Sequence, residues 1–170
     1  MIDAGHGMIM NKAYLLLGGN IEDRLNNLKK ARELLQRDVG KIIECSGIYE
    51  TAAWGNLDQP VFLNQVLLIE TILSAEETMN KILFIEKKLG RVRSQKNASR
   101  IIDIDILFYN KEIINTRNLI IPHPEIQNRN FVLHPLKELI PEFEHPVLNR
   151  TIHELFLECS DTLAVKLYSN

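Results

Sequence analysis

Hydrophobic residues occur along this chain in short runs and in helical stripes, and clusters of Gly, Asn, Asp and Pro separate them. Residues 14–17 form a continuous apolar run, which predicts a buried strand, and Gly18-Gly19-Asn20 predicts a tight turn at its end. Apolar residues then recur on one helical face through 21–35, and charged residues occupy the other faces. An amphipathic helix should therefore follow the turn.

A second group of elements is predicted between residues 42 and 90. Residues 42–51 and 61–71 have the composition of strands, and the Gly, Pro, Asn and Asp residues of 52–60 indicate a loop between them. Ser74 and Glu77 have the spacing of a capping box, in which each side chain bonds the other residue's backbone N–H. They predict the start of a helix that ends at Gly90, before a polar loop over 91–100.

The C-terminal half begins with the clearest strand pattern, residues 101–109. Residues 110–112 predict a hairpin connection into a strand at Ile113-Ile114. The two prolines of 121–124 require extended or turned backbone. Helices are predicted over 131–139 and from Thr151, which has capping-box spacing to Glu154. These elements predict an α+β fold, with helices packed on a mostly antiparallel sheet.

Composition narrows the class of protein. The chain has 170 residues, of which 45% are hydrophobic and 25% charged, as in a globular domain. We predict a flexible N-terminal extension over 1–11 and a single domain over 12–170. The net charge of −2 argues against a nucleic-acid partner, and no apolar run approaches the length of a membrane span. Cys45 and Cys159 lack metal-ligand spacing, so we expect reduced, buried thiols in a cytoplasmic protein, with a disulfide between them as the alternative.

Asp103-Ile104-Asp105 is the sharpest chemical signal in the sequence. Side chains alternate across a strand, so both carboxylates should lie on one face while Ile104 points into the core. Adjacent carboxylates repel each other unless a cation offsets their charge, and Mg²⁺ is often held by one or two carboxylates plus substrate phosphates. The alternative is a solvated face of an edge strand, which would be favoured for an isolated Asp-x-Asp.

Basic residues directly before this strand favour the metal interpretation. They are Arg91, Arg93, Lys96 and Arg100. Arginine binds phosphate oxygens through its planar fork of N–H groups. Carboxylates for Mg²⁺ beside cations for phosphate are the usual set of groups for phosphoryl transfer. The alternative is a solvated basic loop that balances the aspartates, which would explain Arg100 better than the others.

Other residues are candidates for substrate binding. His123 lies between two prolines and is rigidly presented, either to a phosphate or adenine ring or as a stacked residue in a turn. A flat heterocycle is bound by aromatic faces together with a side-chain amide. The residues with these properties are Trp54, Phe62, Asn64 and Phe131. Core packing is the alternative for each aromatic side chain.

Residues 96–107 resemble the signature of the 6-hydroxymethyl-7,8-dihydropterin pyrophosphokinase family: a basic residue, two small residues, an arginine and then Asp-aliphatic-Asp. Further landmarks in the family's order are residues 17–20, 58–64, 90–93, 121–123 and 128–131, so the resemblance covers residues 12–160. It implies a ferredoxin-like α+β sandwich, usually monomeric. It also implies transfer of diphosphate from ATP to the pterin alcohol, with AMP leaving.

The resemblance implies roles for individual residues. Asp103 and Asp105 would bind two Mg²⁺ ions that bridge ATP and the pterin hydroxyl, and with Arg91 and Arg100 they are the predicted catalytic residues. The implied ATP-binding residues are Arg91, Arg93, Arg100, Ile106 and His123, with Glu86 as a further candidate. The implied pterin-binding residues are Thr51, Trp54, Phe62, Asn64 and Phe131, with Arg129 in the substrate channel.

The sequence departs from well-known members of that family in three places. The loop before the aspartate strand is one residue shorter, and Asn97 stands where many relatives have an aromatic residue. Pro124 follows the histidine, where an aromatic residue is common. Trp54 and Phe62 stand where other members often have an aliphatic residue and a tyrosine. These differences would change the shape of the predicted pocket but keep it flat and apolar.

Two other functions would use some of the same residues. A metal-dependent nuclease or nucleotidyltransferase could use the aspartate pair, but it should have a wider basic surface. A non-catalytic ferredoxin-like module could bind nucleotide, but it would gain little from paired carboxylates. The resemblance, which these alternatives do not share, implies an ATP- and Mg²⁺-dependent diphosphotransferase, and two metal ions suit that reaction.

Overall fold

The computed structural model describes residues 7–53, 58–90 and 101–169. The strands are β1 (Asn11–Gly19), β2 (Lys41–Cys45), β3 (Tyr49–Thr51), β4 (Phe62–Thr71), β5 (Asp103–Tyr109), β6 (Ile114–Asn115), β7 (Ile120–Ile121) and β8 (Val165–Leu167). The helices are α1 (Arg24–Asp38), α2 (Ala75–Lys88), α3 (Asn130–Leu139) and α4 (Ile152–Glu158), with a 3-10 helix at Ile126–Asn128.

The main sheet has the strand order β5-β1-β4-β3-β8, and β2 also pairs with β4. Each described strand pair is antiparallel. β6 and β7 form a separate two-stranded ribbon. The prediction of an α+β fold with a mostly antiparallel sheet is confirmed.

Helices cover both faces of the main sheet. Alternate residues of a strand point to opposite faces, so Leu16 and Leu17 of β1 belong to different apolar clusters. On one face, α1 and α2 contribute Leu28, Leu35, Ile82 and Ile85. On the other face, α3 and α4 contribute Val132, Leu133, Leu136 and Leu155. The result is a sandwich with the sheet as its middle layer.

Local signals set the starts of three helices. Ser74 Oγ accepts from Glu77 N at 3.1 Å and Glu77 Oε2 accepts from Ser74 N at 2.7 Å, which confirms the predicted capping box. The second box is also present, since Thr151 and Glu154 bond each other in the same way. The N-cap of α1 is Asp23, whose carboxylate accepts from the N–H three residues later at 3.1 Å. Asn20, three residues before this cap, bonds the loop before β4 through its side chain.

The predicted hairpin between β5 and the strand at Ile113-Ile114 is wrong. Asn110 bonds the start of β1 through its backbone N–H and its side chain, so the end of β5 is anchored to the neighbouring strand. The chain then turns, with Glu112 N donating to Tyr109 O at 3.1 Å, and leaves the sheet. β6 pairs with β7 instead, in the register Ile114 to Ile121.

Three further expectations differ from the structure. The strand predicted over 42–51 is divided into β2 and β3, because Ser46 bonds the Val66 backbone through both its N–H and its hydroxyl. β8, which pairs with β3, was not predicted. Cys45 is exposed and Cys159 is partly exposed, so the expectation of buried thiols is wrong, and both cysteines are free.

No helix within the described residues combines the length and apolarity that crossing a membrane requires.

Candidate active site

The register of three strands places predicted site residues on one face of the sheet. Gly18 on β1 pairs with Asn64 on β4 and with Asp103 on β5. Phe62 lies two positions before Asn64 on β4, Asp105 lies two positions after Asp103 on β5, and residues two apart on a strand share a face. The two aspartates therefore lie on one side of β5, as predicted, and Ile104 between them is fully buried on the other side.

A hollow of about 690 Å³, open to solvent, lies on this face of the sheet. We call it the sheet-face cavity. The predicted residues that line it are Thr51, Phe62, Asn64, Asp103, Asp105, Arg129 and Phe131. The proposed metal-binding carboxylates and most of the proposed heterocycle-binding residues thus meet in one place.

Asn64 has a defined orientation at the floor of the sheet-face cavity. It is 3% exposed, and its Nδ2 donates to Thr51 Oγ1 at 3.0 Å. In this arrangement the amide nitrogen faces Thr51, and Oδ1 is the atom that can accept from a ligand. A Cβ added at Gly18 would lie 2.6 Å from Asn64 Oδ1, so a larger residue there would force the buried amide to move, and glycine allows the close approach. The tight-turn explanation for Gly18 is wrong, because Gly18 lies inside β1.

Arg129 and Phe131 enter the cavity from the start of α3. The Arg129 guanidinium lies 5.8 Å from the centre of the Phe131 ring. The N-terminus of α3 is held by Asp161, whose carboxylate accepts from Asn130 N at 2.9 Å and whose carbonyl accepts from Asn130 Nδ2. Sequence reasoning missed Asp161, because no local pattern links it to a helix that begins about thirty residues earlier.

A second hollow of about 620 Å³ lies at the outer edge of β5. We call it the strand-edge cavity. Its lining includes Met79, Asp105, Ile106, Arg117, His123 and Pro124. Asp105 lines both cavities, so a ligand in each could meet at this carboxylate. Ile106 and His123 were predicted nucleotide-binding residues, whereas Arg117 was missed, because the connection between β6 and β7 was not predicted.

His123 is fixed in place by two backbone hydrogen bonds. Its N–H donates to Leu107 O at 3.0 Å, and its Nδ1 accepts from Glu125 N at 3.2 Å. A neutral ring that accepts at Nδ1 carries its proton on Nε2, which is then a donor. Burial lowers the pKa of His123, and Arg129 lowers it further, whereas Glu125 and Asp103 act in the opposite direction.

Glu86 lies on the other face of the sheet from the aspartates. It is 2% exposed among the apolar residues of α2, and its Oε2 accepts from Ile104 N at 3.1 Å. It does not belong to the described lining of either cavity. The structure therefore places this predicted nucleotide-binding residue behind β5.

Several predicted residues lie outside the described ranges. They are Trp54, Arg91, Arg93 and Arg100, together with Lys96 and Asn97 of the segment predicted as a loop over 91–100. Within the described ranges, no group of three or more His, Cys, Asp or Glu side chains could hold a metal. Asp103 and Asp105 fit Mg²⁺ nevertheless, because this ion is usually bound by one or two carboxylates, with phosphates and water as its other ligands.

Comparison with known proteins agrees with this geometry. Residues 14–141 match the profile of "7,8-dihydro-6-hydroxymethylpterin-pyrophosphokinase (HPPK)". The 2-amino-4-hydroxy-6-hydroxymethyldihydropteridine pyrophosphokinase of Aquifex aeolicus is 41% identical over 145 residues, which cover 85% of this chain and 90% of the relative. The protein of the same name from Bacillus subtilis is 42% identical over 135 residues, which cover 79% and 81% of the two chains.

The fold also matches solved structures. The HPPK-DHPS chain of Plasmodium falciparum superposes with a TM-score of 0.74 at 20% identity, over 90% of this chain. The match spans 44% of the Plasmodium chain, so the present chain corresponds to less than half of it. At this identity the likeness establishes the fold alone.

Proposed function

The chain belongs to the 7,8-dihydro-6-hydroxymethylpterin-pyrophosphokinase family and is a pyrophosphokinase of folate biosynthesis, and from this premise we propose how its two cavities divide the reaction. The sheet-face cavity binds 6-hydroxymethyl-7,8-dihydropterin, and the strand-edge cavity binds ATP. The observation that carries the proposal is that Asp105 lines both cavities, with Asp103 beside it. The pterin hydroxymethyl group and the ATP phosphates would meet there.

The shape and chemistry of the sheet-face cavity suit a pterin. Phe62 and Phe131 offer aromatic faces to a flat ring. Asn64 Oδ1 offers an acceptor to the amino and ring N–H groups of a pterin edge, and Thr51 holds the amide in that orientation. Because a buried polar group without a partner is costly, this arrangement favours heterocycles with donors on that edge.

The strand-edge cavity suits a nucleotide. Met79, Ile106 and Pro124 provide apolar surface for a base. His123 offers an Nε2 donor, and Arg117 a guanidinium, to phosphate or ribose oxygens. A neutral His123 fits this task, since it donates without having to be charged. Arg91, Arg93 and Arg100 remain predicted phosphate-binding residues.

The proposed reaction is attack of the pterin hydroxymethyl oxygen on the β-phosphorus of ATP, with AMP as the leaving group. Asp103 and Asp105 would hold two Mg²⁺ ions, which when bound lower the pKa of the attacking hydroxyl and neutralise phosphate charge. The side chains of this site bind and orient the two substrates, and no protein nucleophile is needed for such a transfer. Thr51, Asn64 and the aromatic residues align the hydroxymethyl group with the phosphates.

The reaction is tested by incubating the protein with ATP, Mg²⁺ and 6-hydroxymethyl-7,8-dihydropterin and measuring AMP. We expect AMP and pterin diphosphate in equal amounts, and neither product when pterin is omitted. Formation of ADP, or AMP release that is independent of pterin, would contradict the proposal. An oligonucleotide substrate in the same assay tests for nuclease activity, which family membership does not support.

Replacing either aspartate tests the metal role. Asp103→Ala and Asp105→Ala should each lower kcat by orders of magnitude, about 3 kcal/mol or more of transition-state stabilisation, because phosphate charge is then poorly neutralised. Both side chains are only partly buried, so the melting temperature should change little. Glu142→Ala, at an exposed carboxylate, is the matched control and should keep wild-type activity. Near-normal turnover in either aspartate variant would remove the metal role.

The oligomeric state, the cellular location and the domain bounds stay predictions. We propose a monomer located in the cytoplasm, with one domain that begins at Asn11, the first residue of β1, so that the extension predicted over 1–11 is one residue shorter. The support for a monomer is the resemblance to a family that is usually monomeric, and the support for one domain is the single main sheet that joins strands from β1 to β8. Light scattering on the purified chain measures the oligomeric state directly.

A further inference from the structure

Glu86 is a buried carboxylate that the proposed chemistry does not use. It occupies a core-facing position of α2, near Ile82 and Ile85, which are both fully buried. Glutamate is rarely buried to this extent, because the carboxylate loses its hydration. An apolar side chain would ordinarily be favoured at such a position. The carboxylate therefore requires an explanation from its contacts.

One contact of the Glu86 carboxylate is with the aspartate strand. Glu86 Oε2 accepts from the backbone N–H of Ile104 at 3.1 Å. Ile104 is the residue between Asp103 and Asp105. Glu86 thus bonds the backbone of the Asp-x-Asp segment from behind, while the two aspartates point into the cavity on the other face.

The position of β5 in the sheet gives this contact its importance. Within the described part of the chain, β5 is an end strand that pairs with β1 on one side. Backbone N–H groups of a strand point alternately to its two sides, so those on the outer side need other acceptors. Glu86 supplies one at Ile104, and His123 N–H bonds the outer edge at Leu107 O. These two anchors lie on either side of Asp105.

We propose that Glu86 is a positioning residue of the metal site. Its bond to Ile104 N holds β5 in place. The carboxylates of Asp103 and Asp105 therefore keep the separation and direction that two divalent cations require. This proposal rests on the proposed metal role of the aspartates. Glu86 itself contacts neither metal nor substrate in this proposal, in contrast to its predicted role in ATP binding.

Two variants separate the hydrogen bond from packing. Glu86→Gln keeps an oxygen acceptor of the same reach, whereas Glu86→Leu keeps similar volume and removes the acceptor. Glu76→Leu, at an exposed position of the same helix, is the control. All measurements are made at a temperature where each variant is folded by circular dichroism, so that lower stability alone does not change the result.

The first readout is amide hydrogen exchange in the metal-free protein. We expect the Ile104 amide to exchange at least tenfold faster in Glu86→Leu than in the wild type, and near the wild-type rate in Glu86→Gln. The second readout is Mn²⁺ binding in the presence of a non-hydrolysable ATP analogue. The Mn²⁺ dissociation constant should rise about tenfold in Glu86→Leu, which corresponds to about 1.4 kcal/mol.

Other outcomes would overturn the proposal. Equal Mn²⁺ affinity in wild type and Glu86→Leu would mean that the aspartates are positioned without Glu86. An equal loss of Mn²⁺ affinity in Glu86→Leu and Glu86→Gln would mean that the negative charge of Glu86 supports metal binding and that its hydrogen bond to Ile104 N does not. If the wild type binds Mn²⁺ and analogue normally but forms no AMP, the proposed reaction fails while the positioning role of Glu86 still stands.

Discussion

Single residues in this protein acquire their roles through close contacts across the sheet. Gly18 shows this most directly, since its glycine identity is explained by Asn64 on the neighbouring strand and not by a local turn. Asn64 in turn is oriented by Thr51 on the next strand. Periodicity in the sequence correctly put Asp103 and Asp105 on one face. Which side chains contact one another, in contrast, was decided by the pairing of the strands.

Gly18→Ala should impair pterin binding selectively. The new Cβ would lie 2.6 Å from Asn64 Oδ1, so the buried amide must move or the cavity must narrow. We expect the KM for pterin to rise at least tenfold, about 1.4 kcal/mol, and the KM for ATP to change much less. Gly7→Ala, where nothing lies within 4 Å of the new atom, is the control. An unchanged KM for pterin would contradict the assigned orientation of Asn64.

At the scale of elements, the helices follow local rules more closely than the strands do. Both capping boxes form where the sequence predicts them, because their partners are three residues apart. The strand predicted over 42–51 is divided in two, because its middle bonds Val66 on β4. The hairpin predicted after β5 is wrong, because the end of β5 bonds the start of β1. The register of a strand depends on partners that are distant in the chain.

Ser74→Ala tests the contribution of a cap to stability. The substitution removes the acceptor for Glu77 N at an exposed helix start. We expect a loss of about 1 kcal/mol in the free energy of unfolding, measured by urea denaturation. Ser160→Ala, at an exposed serine for which the structure gives no hydrogen bond, should change stability by less than about 0.5 kcal/mol. A loss above about 3 kcal/mol would indicate that α2 is held mainly by its first turn.

At the scale of the whole molecule, stability should depend on buried histidines. His145 is 4% exposed, and its Nδ1 accepts from Val147 N at 3.2 Å and from Leu148 N at 3.1 Å. Burial lowers the pKa of His145 from 6.5, and it also lowers the pKa of His123 and His134. Protonation of His145 would remove the acceptor that holds this turn.

The direction of the pH dependence follows from these pKa values. A group with a lower pKa in the folded state stabilises the protein fully above its unfolded pKa, near 6.5, and less as the pH falls towards its folded pKa. The free energy of unfolding should therefore be smaller at pH 5 than at pH 7.5. His145→Asn, which keeps an acceptor that does not titrate, should flatten the curve. Stability that rises between pH 7.5 and pH 5 would contradict this account.

The sequence by itself determined the helices, two of them with their capping boxes, the buried strands, the shared face of Asp103 and Asp105, and the resemblance that family membership confirmed. Those features depend on residues within a few positions of one another. Only the tertiary structure decided that Asp105 lines two cavities, that Asp161 holds α3, and that Glu86 lies behind the aspartate strand. Such contacts depend on strand register and on the order of the strands, for which no short sequence pattern carries the information.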